Sequence, residues 1–397
     1  MTETERLIAL ENQYGAHNYK PLDVVLESGR GVNVKDVEGN KLLDMLAGYG
    51  ALNQGHRHPK IMKAFYKQAG KLTLTARAFR NDQLPEFDQM LCEITGKEKV
   101  LPMNTGAEAV ETALKLARKW GEEKKGIDKD KVEIITASGN FHGRTITIVS
   151  FSTEDQYKDG FGAFTPGFRT IPFGDAEALR NAITDNTAAF LVEPRQGEGG
   201  IIIPPEGYLR ETRAICQEKN VLFMADEVQT GLGRTGKLFA VQHEDVDPDV
   251  LILGKALSGG VYPVSAVLAD NDIMDVIRPG DHGSTYGGNP LGAAVGMAAL
   301  QVIIDEDLSE RSREMGAYLL EKLKEIDSPK IKEVRGEGLF IGVETKNTPA
   351  RVVCENLLAE GILAKDAHEK VTRFTPPLII TKRQIDRALP KIARSLS

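Results

Sequence analysis

Cysteine, tryptophan, positive charge and long apolar runs are what this sequence has least of. Its three cysteines, Cys92, Cys216 and Cys354, lie too far apart for a disulfide framework or a zinc site. They fit a reducing, cytoplasmic setting, and no metal is expected. No apolar run approaches the roughly 20 residues that a membrane-crossing helix needs. The opening MTETERLIALENQYGAH has no basic stretch leading into an apolar one, so no secretory signal is expected. The net charge of -7 leaves no basic footprint that would point to nucleic acid or an anionic membrane. Repeats and low-complexity tracts are absent. What the chain does have is 39 glycines in 397 residues, set at the ends of apolar runs, where a backbone can approach a ligand closely. That length is enough for a large core and two domains.

Strand and helix patterns alternate through the middle of the chain. VEIITA (132–137), AAFLVE (188–193), VLFMAD (221–226), VLIL (250–253) and VSAVLA (264–269) are short apolar runs of the kind that buried strands show. Helical patterns join them, as between Pro205 and Asn220, and earlier from Ile61 to Gly70 and Leu84 to Thr95. Thr105 followed three residues on by Glu108 is a capping box, and Ala109, Ala113, Leu116 and Trp120 then recur at helical spacing. Such alternation predicts an α/β domain with a mostly parallel sheet. GVNVKDVEGNKLLDML, before it, reads as a hairpin turning at Glu38, Gly39 and Asn40. After Asn289 come long helices, Pro290 to Ile304 and Glu310 to Ile326, then short strands and a terminal helix. The expected organisation is a large domain of 51–289 and a smaller α+β domain of 290–397, which the segment 1–50 joins.

The stretch DVLILGKALSGG carries the chemistry. Lys255 stands where a buried strand ends, and there a desolvated amine loses its proton near neutral pH and becomes a nucleophile. Asp226 ends VLFMAD in the same way. An acid at a strand end is a hydrogen-bonded structural group, a metal ligand (which would need His or more carboxylates close by, and the nearest histidine in sequence is His243) or the partner of a cofactor's ring nitrogen. A lysine and an acid at two strand ends suit an aldehyde cofactor. NTGAE opens a helix at Gly106 and Ala107, whose N–H groups and dipole suit a phosphate. HGSTYGGNP offers the hydroxyls of Ser284 and Thr285 in a glycine-rich loop. GNFHGRT presents Phe141, a ring to stack on a planar group, and Arg144, a carboxylate fork. RFTPP supplies a second fork in Arg373, and GEGG supplies Glu198, otherwise only a turn. GLGRTGKL is a false lead: Leu238 stands where a P-loop needs a hydroxyl, and no clear helix pattern follows the glycines.

In this order MNTGAEA, GNFHGRT, VEPRQGEGG, ADEVQTGLGRTG, LGKALSGG and HGSTYGGNP resemble the class III pyridoxal-phosphate aminotransferases of fold type I, over almost the whole chain. That resemblance implies a large domain with a mostly parallel central sheet between helices, plus the smaller α+β domain. It implies pyridoxal 5'-phosphate as cofactor, held by the amine of Lys255, which later carries the proton. Asp226 would pair with the pyridine nitrogen, Gln229 with the ring hydroxyl, and Phe141 would stack on the ring. Gly106 and Ala107 would take the phosphate, with Ser284 and Thr285 from a partner subunit of a homodimer or higher oligomer that shares its sites. GAHNYKPLDVVL, YGALNQGH and RFTPPLII are similar to the branch that acts on L-ornithine with 2-oxoglutarate. There Tyr19 and Arg144 would hold the α-amino and α-carboxylate end, Tyr49 would shape the pocket, and Glu198 would screen Arg373. Acetylornithine and 4-aminobutyrate are the alternative substrates, and a catalytically inactive binding protein is the alternative class. Two departures stand out: His142, where eukaryotic relatives carry tryptophan, alters the pocket wall, and Arg195 brings a charge beside Glu193 and Glu198.

Overall fold

The computed structural model describes every residue from Met1 to Ser397. At its centre is a sheet of seven strands in the order Lys99–Met103, Ser265–Ala269, Val250–Leu253, Leu222–Asp226, Thr187–Val192, Glu133–Ala137, Phe168–Ile171. Ser265–Ala269 runs against both its neighbours, and every other pairing is parallel. The sheet separates two cores because successive side chains point to opposite faces. Val250 and Ile252 pack with Ile134, Leu191 and Val267 under the helix Gly106–Trp120. Leu251 and Leu253 pack on the other side with Phe190, Phe223 and Leu268, under helices Ala176–Ala182 and Tyr208–Glu218. A strand covered on both faces has no polar side, so its sequence reads as an unbroken apolar run. Thr187–Val192 is buried at all six positions.

Two strands of the sheet, Lys99–Met103 and Phe168–Ile171, lie outside the runs that the sequence marked as strands, and they form its two edges. Edge strands are only partly covered, and Pro102 lacks the N–H that a central strand would need. The hairpin is present as Asn33–Asp36 and Lys41–Asp44, extended by Leu26–Arg30 on one side and by the late strand Ile362–Leu363 on the other. A third sheet joins Ile331–Glu337, Phe340–Thr345, Val371–Phe374 and Lys365–Ala367. We propose the division 1–50, 51–289 and 290–397, with the first and last segments joined by their shared sheet. Helix Pro290–Asp305 then bridges the two domains, since it packs on helices Pro59–Ala69 and Leu84–Thr95. No helix is long and apolar enough to cross a membrane.

The GLGRTGKL loop clasps distant parts of the chain. Arg234 is fully buried and donates to the carbonyls of Leu339 (2.9 Å) and Pro376 (2.7 Å) and to Oδ1 of Asn53 (2.5 Å). Burial pulls its guanidinium down to about 9. No regular helix opens at these glycines, so the loop has no nucleotide geometry.

Helix Leu308–Lys324 crosses the turn between Ile331–Glu337 and Phe340–Thr345 at Gly316. A Cβ on Gly316 would stand 2.1 Å from the carbonyl of Gly338, which no packing accommodates. Gly316→Ala is therefore expected to lower stability by about 1–3 kcal/mol, although alanine is the better helix former. Urea denaturation checks this, and an unchanged midpoint would show that the helix lifts freely off the turn.

Candidate active site

The carboxyl ends of the parallel strands, the place where open α/β sheets hold ligands, surround a cavity of about 190 Å³. Gly106, Ala107, Phe141, His142, Glu193, Asp226, Gln229 and Lys255 line it. Lys255 begins a single helical turn, Lys255–Ser258, directly after Val250–Leu253. Its φ of 44° is a left-handed conformation that costs a non-glycine residue roughly 1 kcal/mol or more. Burial pulls its ammonium below the ordinary lysine range, and the charges of Glu198 and Asp226 oppose this only in part. A desolvated amine of this kind can act as a nucleophile or carry a proton.

Asp226 ends its strand with both carboxylate oxygens engaged. Oδ1 accepts from the N–H of Val228 at 3.0 Å, and Nδ1 of His142 donates to Oδ2 at 2.6 Å. Burial pulls His142 down, yet the hydrogen bond and charge of Asp226, with the charge of Glu193, hold it above its ordinary value. Burial pushes Glu193 up to about 7, with the His142 charge opposing and the Asp226 charge adding to the rise. Its oxygens accept the N–H groups of Phe141 (3.0 Å) and Gly197 (3.5 Å). The floor of the cavity is thus a buried run of Glu193, His142 and Asp226.

The opposite wall is a helix start. Thr105 caps Gly106–Trp120, accepting from the N–H of Glu108, while the Glu108 side chain bonds back to the N–H of Thr105. The N–H groups of Gly106 and Ala107 find no acceptor within the chain and border the cavity. A Cβ on Gly106 would come to 3.0 Å from Val228, so glycine is what lets the helix begin this close to the strand ends. A third group lies beside the cavity. Glu198 accepts from Arg373 at 2.5 Å, and Arg373 lies over the Tyr49 ring at 5.3 Å. Burial pushes Glu198 up, but Arg373, then Lys255 and a hydrogen bond from Gln229, outweigh it and hold the carboxyl below its ordinary range. Gln229 also donates to the Tyr49 carbonyl at 3.1 Å.

Of the residues expected from the sequence, Gly106, Ala107, Phe141, Asp226, Gln229 and Lys255 share the cavity, and Tyr49, Glu198 and Arg373 cluster beside it. Arg144 is exposed nearby, over the Tyr157 ring at 4.1 Å and the Phe141 ring at 5.7 Å. Tyr19 lies outside, 68% exposed, in a separate depression with Lys20, Arg351, Asp366 and His368. Ser284 and Thr285 do not line this chain's cavity, and Ser284 accepts from Asn104 at 2.8 Å. Two expectations need correction. Arg195 adds no charge to Glu193 or Glu198, because it pairs with Glu337 at 2.8 Å. His142 is no mere wall but the partner of Asp226. The importance of Glu193 went unread, although it follows an apolar strand just as Asp226 ends one.

These groups fit pyridoxal phosphate: an amine, an acid side chain held in place by hydrogen bonds, unbonded helix N–H groups and an aromatic face converge on one cavity. Comparisons with known proteins agree. The family described as Aminotransferase class-III matches residues 14–396. The chain is 60% identical over 392 residues to ornithine aminotransferase 2 of Staphylococcus aureus, covering 99% of each. An ornithine aminotransferase structure from Toxoplasma gondii, with pyridoxal phosphate partially occupying its active site, superposes with a TM-score of 0.98 at 46% identity, covering 99% of this chain and 94% of that one. An acetylornithine aminotransferase structure from Elizabethkingia anophelis gives 0.91 at 49% identity, covering 100% and 99%.

Replacing His142 with phenylalanine should strand the Asp226 carboxylate in the protein. Removing one partner of a buried charged pair costs about 3–5 kcal/mol at pH 7. Asp226 holds His142 above its ordinary value, so the stability that the pair contributes is fully present at pH 5 and lessens as pH rises through that raised value, and the loss is larger at pH 5 than at pH 7. Denaturation at pH 7 and pH 5 measures both. An equal loss at the two pH values would mean that packing, not charge, is what His142 supplies.

Proposed function

The chain belongs to the class III aminotransferases, enzymes of fold type I that work with pyridoxal phosphate, and from that premise we propose that it transfers the δ-amino group of L-ornithine to 2-oxoglutarate. The products are L-glutamate 5-semialdehyde and L-glutamate. The observation that carries this reading is the Glu198–Arg373 pair, an arginine fork kept neutralised at the mouth of the cavity. Ornithine brings to the site a reacting carbon with no carboxylate on it, whereas glutamate and 2-oxoglutarate bring one that carries a carboxylate. A bare Arg373 favours the second kind, and a paired Arg373 admits the first.

Bound pyridoxal phosphate supplies an aldehyde that condenses with amines and a ring that draws in electron density. The protein's own groups do the rest. Lys255 offers its neutral amine to the carbonyl carbon and then takes and returns a proton at the reacting carbon of the substrate. Asp226, its Oδ2 bonded by His142, would hold the ring N–H. Gly106 and Ala107 bind phosphate through their unbonded N–H groups, and Gln229 reaches the ring oxygen. Phe141 covers one face. Tyr49 borders the substrate's path, and Arg144 and Tyr19 take the distant carboxylate and amino groups of ornithine.

Ser284 and Thr285 sit on the surface of their own chain and complete the phosphate site of a second copy, so the working unit is a homodimer or a larger homo-oligomer. Phe79 and Tyr286, 74% and 50% exposed here, support such an interface. The three cysteines are free, which suits the cytoplasm.

N-acetylornithine is the second reading, supported by the likeness to the Elizabethkingia enzyme. The experiment that decides is a set of half-reactions with ornithine, N-acetylornithine, 4-aminobutyrate and glutamate, each followed by the cofactor's absorbance without a keto acid. Ornithine and glutamate should change the spectrum, and N-acetylornithine should do so at least about tenfold more slowly, a difference of 1.4 kcal/mol. Faster reaction with N-acetylornithine overturns the proposal. Lys255→Ala should leave cofactor bound but abolish turnover with both substrates, and a near-native rate would remove Lys255 from its role. Glu198→Ala should free Arg373 and raise the glutamate-to-ornithine rate ratio five- to 150-fold, about 1–3 kcal/mol. Stopped-flow measurement of each half-reaction gives that ratio, and an unchanged one shows that Glu198 does not gate the site.

A further inference from the structure

A basic hollow lies on the first sheet. Two adjoining depressions, of about 540 Å³ and about 240 Å³, share Asn33 and Lys41 on their walls. Together they bring Arg30, Lys35, Lys41, Arg57, Arg387 and Lys391 to one surface with no acidic residue on either lining. None of these six residues is in the cavity that holds Lys255.

The strand register makes the cluster costly to the fold. Lys35 and Lys41 are directly opposite each other in the antiparallel pair of Asn33–Asp36 and Lys41–Asp44. Both are on the exposed side, since Val34 and Leu42 beside them are buried. Like charges facing each other across a ladder repel. The neighbouring acids Asp36 and Asp44 form no ion pair with either lysine and direct their carboxylates to other donors. Asp36 takes the N–H groups of Glu38 and Asn40 and the Asn40 side chain. Asp44 takes those of Leu46 and Ala47, and His56. Arg30, Lys35, Lys41, Arg57 and Arg387 form no salt bridge at all, unlike Arg394 and Lys60 elsewhere on the surface, which pair with Glu360 and Asp305. Lys391 alone is engaged, by the carbonyl of Glu360 at 2.5 Å.

We propose that this hollow binds a small molecule bearing two or more phosphates. Three of its cations are arginines, whose planar forks match phosphate oxygens. Ser28, Asn33 and Gln384 add neutral donors on the same walls. The patch is local on a chain of net charge -7, so a short anion fits it and a long one would run onto acidic surface. An anion between Lys35 and Lys41 would also remove the repulsion that the sheet otherwise bears.

Titration calorimetry of the holoenzyme with inorganic tripolyphosphate in about 0.1 M salt tests this, where screening already weakens diffuse attraction. The expected result is submillimolar binding that Lys35→Gln/Lys41→Gln weakens by at least about tenfold, with the half-reaction rates of the enzyme unchanged. A parallel titration with ATP separates the sources of phosphate: equal affinity marks a phosphate-only site, and tighter binding marks one that also holds a nucleoside. Absence of binding, or binding that the double substitution leaves intact, overturns the proposal. So does binding confined to a single-stranded oligonucleotide of about 20 nucleotides, since a long polyanion needs no hollow.

Discussion

A charged amine cannot end a strand that is buried on both faces unless its charge is balanced or given up. Lys255 is in that position, and the rest of the site follows from it. The strand Val250–Leu253 is buried at all four positions, so its last turn delivers the amine to an interior cavity. Burial pulls its pKa down, and the carboxylates of Glu198 and Asp226 oppose that pull. The left-handed backbone at Lys255 is a local penalty that the flanking sheet and loop enforce. Where a structure imposes such a penalty on a desolvated amine, the amine's reactivity is what it gains.

The same problem recurs with other charges near the cavity, and three of them are met by a partner of opposite sign. Asp226 is met by His142, Glu198 by Arg373, and Arg195 by Glu337. These pairs differ in use. Arg195–Glu337 ties the loop after Thr187–Val192 to the third sheet, a structural duty. Asp226–His142 fixes a carboxyl group at a strand end on the cavity floor, where the proposed reading has it meet a ring nitrogen. Glu198–Arg373 lies beside the cavity, where on the proposed reaction an incoming carboxylate would compete with Glu198 for the guanidinium. A pair with a rival for one member can open, and a pair sealed in the floor cannot.

What could be read from the sequence follows this division. The central strands were legible because double-sided burial writes an unbroken apolar run, and the capping box at Thr105 and Glu108 marked the helix start. The edge strands Lys99–Met103 and Phe168–Ile171 were not, because one open side dilutes the pattern. Residues that act from strand ends, Lys255 and Asp226, stood out by position. His142 and Glu193 did not, because their meaning lies in contacts across 84 and 52 residues of chain, with Asp226 and Phe141. Only the fold brings those together. The basic hollow escaped for a related reason: its cations come from segments more than 300 residues apart, and the net charge conceals them.

The placement of Tyr19 bears on how one cavity serves two substrates. Its depression meets the Glu198–Arg373 mouth through Asp366, whose carbonyl accepts from Arg373 at 3.5 Å and whose side chain lies with Tyr19 on the depression's wall. Tyr49 lies between them in electrostatic terms, for its hydroxyl, raised chiefly by burial, responds to the charges of Arg373, Glu198, Tyr19 and Asp366 together. On the proposed reaction, the far end of a long diamino acid and the near carboxylate of a dicarboxylate would meet adjoining polar groups along one path from depression to cavity. A substrate's length would then decide which of them it engages when its reacting carbon is at Lys255. Ornithine, with its amino acid head four bonds from the δ-nitrogen, would reach outward past Arg373, and glutamate would place its α-carboxylate on Arg373 itself. The two proposed substrates would thus be told apart by where along that path their charges fall, and the arginine would need masking for only one of them.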